Sequence, residues 1–223
     1  DEDAGGKLEA QAISLIGQSS LDGCRPEDKP IPGETTLHAQ RRHMAMGWLS
    51  MVHDDPVTAR QKLERRTSIN GSERISLWQD GWLARSLLLL GEWESAARTV
   101  EIGLARAEQS GIRFLEPLLL LTGATIATAR GNSDLARNYM SRLSTDQDSF
   151  IIQSMPSAMC RMWVHRHRNE IPGAIVAGEK LEKLASQKHV NAPGFWPWQD
   201  VHATHLIRIG ETQRAQELVN STL

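Results

Sequence analysis

Leu87-Leu88-Leu89-Leu90-Gly91-Glu92-Trp93-Glu94-Ser95-Ala96-Ala97 joins an apolar run to a glycine and then to a pair of alanines. On either side, Trp78 to Leu90 and Glu94 to Ala107 place apolar residues at three- and four-residue spacing, the mark of two amphipathic helices. Glycine between them can adopt the left-handed conformation that ends a helix. Ala96, one turn into the second helix, lets the two backbones approach closely; a larger side chain there would wedge them apart. The stretch reads as a helix hairpin.

The same pattern recurs along the chain. With Asp54, Gly91, Gly131, Asn169 and Gly210 as the turns, alanine stands five residues later every time, at Ala59, Ala96, Ala136, Ala174 and Ala215. Nine residues after each turn come Leu63, Val100, Met140, Gly178 and Val219, apolar in four copies. Seven residues before it come Gly47, Ala84, Ala124, Met162 and Ala203, small in four. The turns are 37, 40, 38 and 41 residues apart. Three aligned columns in five copies predict an all-α array of about five hairpins.

The spacing predicts helices over 37–53, 56–67, 73–90, 93–109, 114–130, 133–143, 149–168, 172–187, 197–209 and 211–221. Asp55-Pro56 and Glu170-Ile171-Pro172 put proline in a first helical turn, where the missing N–H costs little. Asn132-Ser133-Asp134 offers a cap and an acid at the positive end of the dipole. Strand signals are scarce. Lys7 to Ile16 reads as one more helix, and Leu21 to Thr36, with Pro26, Pro30 and Pro32, as a loop. Residues 1–36 are thus a partial helix with a proline-rich loop, and 37–223 the repeat domain. Because the chain opens at Asp1 without Met, a segment of a larger protein is expected.

Composition narrows the function. Of 223 residues, 40% are hydrophobic and 23% charged, ordinary for a soluble chain with a core. The net charge of -2 argues against overall attraction to nucleic acid or an anionic membrane. No apolar run is long enough to span a bilayer, and no signal-peptide pattern opens the chain. Cys24 and Cys160 form neither a disulfide framework nor a CxxC pair, which suits reduced thiols in the cytoplasm. Seven of the eleven aromatic residues are Trp, an excess that calls for a reason.

Leu87-x-x-Leu90-Gly91-x-x-x-x-Ala96-Ala97 resembles the signature of tetratricopeptide (TPR) repeats, as do Arg130-Gly131-x-x-x-x-Ala136 and Ile209-Gly210-x-x-x-x-Ala215. The resemblance implies a TPR-like superhelical solenoid whose helices or links are longer than in the usual repeat of about 34 residues. Leu90-Gly91-Glu92-Trp93-Glu94-Ser95-Ala96-Ala97 and Ala105-Arg106-Ala107-Glu108-Gln109-Ser110-Gly111 are also similar to the repeat region of large bacterial transcription activators of the MalT/LuxR type. That likeness, over about residues 37–223, implies a sensor segment lying between an ATPase module and a DNA-binding helix-turn-helix. Such a segment receives a small-molecule inducer or a regulatory protein. It contacts neither nucleic acid nor membrane itself, and a homo-oligomer is compatible with it. Neither a GxxxxGK[ST] phosphate loop nor a helix-turn-helix occurs in this chain.

In TPR-like arrays the first helix of each hairpin lines the concave face. Six residues before the turns stand Trp48, Arg85, Thr125, Trp163 and Thr204. One turn nearer lies Arg166, and about two turns further back lie Arg41 and Trp78. Trp stacks on flat faces and Arg forks to carboxylate or phosphate, so Arg41, Trp48, Trp78, Arg85, Thr125, Trp163 and Arg166 are the candidate binding residues. Equally, the tryptophans fill gaps between stacked helices. Phe195-Trp196-Pro197-Trp198 is a lid or docking patch, or else a plug for the last hairpin. The run Arg161 to Arg168, with His165, Arg166 and His167, reads as a solvated basic face.

No metal or catalytic constellation emerges. His165 and His167 point apart on a helix, and His202 and His205 have no acidic or cysteine ligand at a suitable spacing. Cys160 reads as a buried, inert thiol. Asp146-Gln147-Asp148 lacks the glycine and closing Glu of a calcium loop. Asn70-Gly71-Ser72 and Asn220-Ser221-Thr222 are sequons that matter only on a secreted protein. The expected function is therefore binding without a cofactor, by a regulator's sensor segment or by a free-standing adaptor that docks a peptide; an enzyme is not expected.

Overall fold

A computed structural model of the chain describes residues 35–65, 71–143, 150–188 and 195–221. The expected helix at Lys7 to Ile16 and the proline-rich loop lie outside them, as do Cys24, Asn70, Thr222 and Asp146-Gln147-Asp148. The described residues are all-α, with no strand among them. They fall into two compact units, Asp1–Arg113 and Phe114–Leu223.

Unit 1 holds α1 (Thr36–Val52), α2 (Pro56–Leu63), α3 (Glu73–Leu89) and α4 (Trp93–Ser110). Helix α1 packs on α2 and α3, α2 on α3, and α3 on α4. Unit 2 holds α5 (Glu116–Ala129), α6 (Ser133–Ser141), α7 (Ile151–His167), α8 (Ile171–Lys188), α9 (Gln199–Arg208) and α10 (Thr212–Asn220). There α5 packs on α6 and α7, α6 on α7, α7 on α8, α8 on α9, and α9 on α10.

All five turns have the same geometry. Asp54, Gly91, Gly131, Asn169 and Gly210 have φ of 55°, 77°, 72°, 58° and 89°. Each donates its N–H to the carbonyl three residues back, and the next residue donates to the carbonyl five back, as Gly91 does to Leu88 (3.1 Å) and Glu92 to Leu87 (2.9 Å). That pair satisfies the last carbonyls of the first helix, a Schellman ending. Aspartate and asparagine tolerate the left-handed region better than other side chains, which is why they can replace glycine here.

The alanine column is buried throughout: Ala59, Ala96, Ala136 and Ala174 have no exposed surface and Ala215 has 2%. The columns before and after the turn meet across the hairpin. A methyl added at Gly47 would lie 2.4 Å from Leu63 Cγ, so the missing side chain is what lets Leu63 enter. In the last hairpin, Ala203, Leu206 and Ala215 form one cluster, with Ile175 and Leu218 against it.

Helix starts follow the local chemistry. Asp55 accepts from the Thr58 N–H (3.0 Å) with Pro56 in the first turn, and Asn132 accepts from the Leu135 N–H (3.1 Å). The fifth helix begins at Glu116 rather than at 114, with Pro117 in its first turn. Helix α2 ends at Leu63, short of the expected 67.

Helices α3 and α5 are buried nearly all round, through Trp82, Leu83, Ala84, Arg85, Ser86 and Leu87 in one and Leu118 to Ala124 in the other. Helix α4 buries a single stripe, Ala96, Thr99, Val100, Gly103, Leu104 and Ala107, and leaves its other face open. A polar tie fixes the start of α3: the Gln40 carboxamide donates to Ser76 Oγ (3.0 Å) and accepts from the Ser72 N–H (2.8 Å).

Candidate functional site

The residues expected to line a binding face divide by burial. In unit 1, Trp48 and Arg85 are enclosed, with 5% and 7% of their surface exposed, while Arg41 and Trp78 are half-buried. Burial pulls the Arg85 guanidinium down to about 10, so it remains charged at neutral pH. Trp78 stacks on the buried Trp82, with ring centroids 6.4 Å apart. These tryptophans therefore pack within the unit, whatever else they do. In unit 2, Thr125 is half-buried and its hydroxyl donates to the Leu121 carbonyl (2.8 Å), so it is committed to its own helix. Trp163 is half-buried, and Arg166, three residues on along α7, is exposed.

Phe195, Trp196 and Trp198 are buried, and Phe195 meets Trp196 edge-on at 4.8 Å. This aromatic surface is thus packed away within the unit and is not presented as an open patch. Cys160 is fully buried beside the Leu120 carbonyl, and burial pushes its thiol up to about 12, which removes thiolate reactivity at neutral pH.

Among the described residues, unit 1 also carries an open groove. A groove of about 560 Å³ is lined by Glu73 from the start of α3 and by Ile102, Ala105, Arg106, Gln109 and Ser110 from α4. Ile102, Ala105, Arg106 and Gln109 follow the three- and four-residue spacing of one helix face, opposite the buried stripe. Arg106 Nε lies 3.4 Å from Oδ2 of the fully buried Asp80, and Nη1 lies 3.7 Å from Oε2 of Glu73. Asp80 thus pulls one edge of the guanidinium inward and leaves the other toward the groove.

No family model, curated protein or solved structure matches the chain.

The repeat pattern points to first helices as the binding face, whereas the groove lies on α4, the second helix of its hairpin. One signal was present: Ile102 interrupts the polar face of α4, and it is 45% exposed.

In unit 2 the basic run is largely used internally. His165 Nδ1 lies 2.8 Å and Arg168 Nε 2.6 Å from the Glu170 carboxylate, and these hydrogen bonds hold that carboxyl below its usual range. His167 Nε2 meets Ser133 Oγ at 3.1 Å. Among the described residues no group of three or more His, Cys, Asp or Glu side chains could hold a metal ion, and no helix is long and apolar enough to cross a membrane.

His202 is fully buried on α9. Its Nε2 lies 3.1 Å from Glu182 on α8, an ion-pair distance, and among the described residues neither ring nitrogen makes a well-aligned hydrogen bond. Arg214 on α10 joins the group through Glu182 (2.8 Å), Glu211 (3.0 Å) and Glu179 (3.7 Å). Burial lowers the pKa of His202 despite Glu182, and burial lowers that of His205, with the charges of Arg166, His202 and Arg208 adding to it. Near pH 6.5 the unfolded chain therefore binds protons that the folded chain refuses. Stability from these rings is complete above about pH 6.5 and is lost as pH falls below it. The unfolding free energy is expected to fall by up to about 1.4 kcal/mol per pH unit per histidine in that window. Urea titrations between about pH 5 and 8 check it; His202→Asn should flatten the slope, and an unchanged slope would remove His202 from the explanation.

Proposed function

We propose that the chain is a TPR-like helical repeat segment that works by binding, as the sensor part of a multidomain bacterial transcription regulator in the cytoplasm. The observation that supports this reading best is the fivefold repetition of one turn, each with a left-handed residue, the same two hydrogen bonds and a buried alanine behind it. Repeated hairpins stack neighbour on neighbour and offer extended surface rather than one deep catalytic cleft. The ligand is a small-molecule inducer or a regulatory protein or peptide. It engages the open face of α4 in unit 1 or the Trp163–Arg166 surface of α7 in unit 2. Binding changes the packing of adjacent hairpins within a unit and so biases the full-length regulator between states.

A thermal-shift screen against small metabolites, sugars and peptides tests the reading. A ligand present at about a hundred times its Kd adds about 2.7 kcal/mol of stability, which is a readable rise in melting temperature. Stabilisation by peptides alone would favour a free-standing adaptor over an inducer sensor. No stabilisation by any member of the three classes would count against the binding function.

A further inference from the structure

The groove on unit 1 carries one positive and one negative group, side by side and incompletely satisfied. The Arg106 guanidinium makes two long ion pairs, at 3.4 Å to Asp80 and 3.7 Å to Glu73, and no hydrogen bond within 3.5 Å among the described residues. Glu73 is 62% exposed and has Arg106 as its sole ionic neighbour among them. The two charges are near enough to attract, yet each has hydrogen-bonding capacity left over. Beside them Ile102 and Ala105 present apolar surface, and the Gln109 carboxamide is exposed on the same face.

A ligand with only a carboxylate would be drawn to Arg106 and repelled by Glu73. A ligand with only a cation would meet the reverse. A molecule bearing both charges on neighbouring atoms satisfies both walls at once, and an α-amino acid has its ammonium and carboxylate on the same carbon. We propose that this groove binds a free amino acid with an apolar side chain. Its carboxylate forks onto Arg106, its ammonium sits on Glu73, and its side chain lies along Ile102 and Ala105. Buried Asp80 acts as a positioning residue: it holds Nε inside and leaves the Nη edge for the carboxylate. This deepens the proposed binding function by naming a ligand class, and it rests on that reading.

Calorimetric titration of the full chain tests it with three probes: L-leucine, N-acetyl-L-leucine, which lacks the cation, and L-leucinamide, which lacks the carboxylate. L-leucine is expected to bind saturably, and each derivative at least about tenfold more weakly. Glu73→Gln, at an exposed position, is expected to bring L-leucine down to the affinity of its N-acetyl derivative. Arg106→Lys keeps a charge for Asp80 but removes the fork, and is expected to weaken L-leucine and leave L-leucinamide unaffected. No saturable heat, equal affinity for all three probes, or indifference to Glu73→Gln would overturn the proposal. Should another metabolite or a peptide stabilise the chain while L-leucine does not bind, this ligand class fails and the binding function stands.

Discussion

Ala96→Leu is expected to destabilise unit 1 by about 1–3 kcal/mol, enough to lower the melting temperature by several degrees. Ala96 has no exposed surface and sits one turn into α4, on that helix's buried stripe, and α4 packs on α3. Its N–H donates to the Glu92 carbonyl (2.9 Å), so the backbone there is fixed by the turn itself. Three added carbons must either push α4 away from α3 or force strained rotamers on the neighbours, because interiors of this density hold no spare volume. Ser95→Leu is the control. Ser95 is the adjacent, exposed residue, and the same change there should stay within about 0.5 kcal/mol of the parent. Urea denaturation of the two variants decides the matter; equal effects would mean that the alanine column has no packing role.

Gly178→Ala is the second large effect, and its sign is the informative part. Inside a helix, glycine to alanine ordinarily stabilises by up to about 1 kcal/mol. At Gly178 the new methyl would lie 1.9 Å from Nδ1 and 2.3 Å from Cε1 of His202, a ring with no exposed surface. The ring must leave its position against Glu182 and Arg214, so the change is expected to destabilise unit 2, by about 1–3 kcal/mol. Shrinking the ring removes the conflict: the double variant Gly178→Ala, His202→Ala should show a coupling of about 0.5–3 kcal/mol that offsets the first substitution. Additive effects would place the ring elsewhere.

The Gly178 case also explains a lapse in the repeat. Nine residues after each turn the chain carries a large apolar side chain, except at Gly178. Seen alone, that glycine is an unexplained gap. Beside His202, it is the space into which the next hairpin sets its imidazole. Periodicity within one hairpin could not disclose this, because the partner lies on a helix more than twenty residues away.

What could be read from the sequence was local. The five turns were legible because a left-handed residue followed by alanine is chemistry confined to a few neighbouring positions. Helix boundaries followed from caps, prolines and apolar spacing, and most fell within two residues of those expected. Which face of a helix remains open was not legible. Trp48 and Arg85 share a column with Trp163, yet they are buried while Trp163 keeps part of its surface. Spacing assigns residues to a face and says nothing of what covers that face. The enclosure of most of α3, with a charged Arg85 inside, runs against the expectation that arginine stays at the surface. The groove on α4 was hidden for the opposite reason. Its residues are mostly polar and ordinary, and only their convergence with Glu73 and Asp80 in space distinguishes them.

Alanine-methyl NOE spectroscopy on the full chain tests the repeated hairpin most directly. Five equivalent hairpins predict that the methyls of Ala59, Ala96, Ala136, Ala174 and Ala215 each show cross-peaks to the residues seven and four positions before their own turn, the arrangement that clusters Ala215 with Ala203 and Leu206. Methyls that contact unrelated residues, or that sit in solvent, in two or more of the five copies would contradict it.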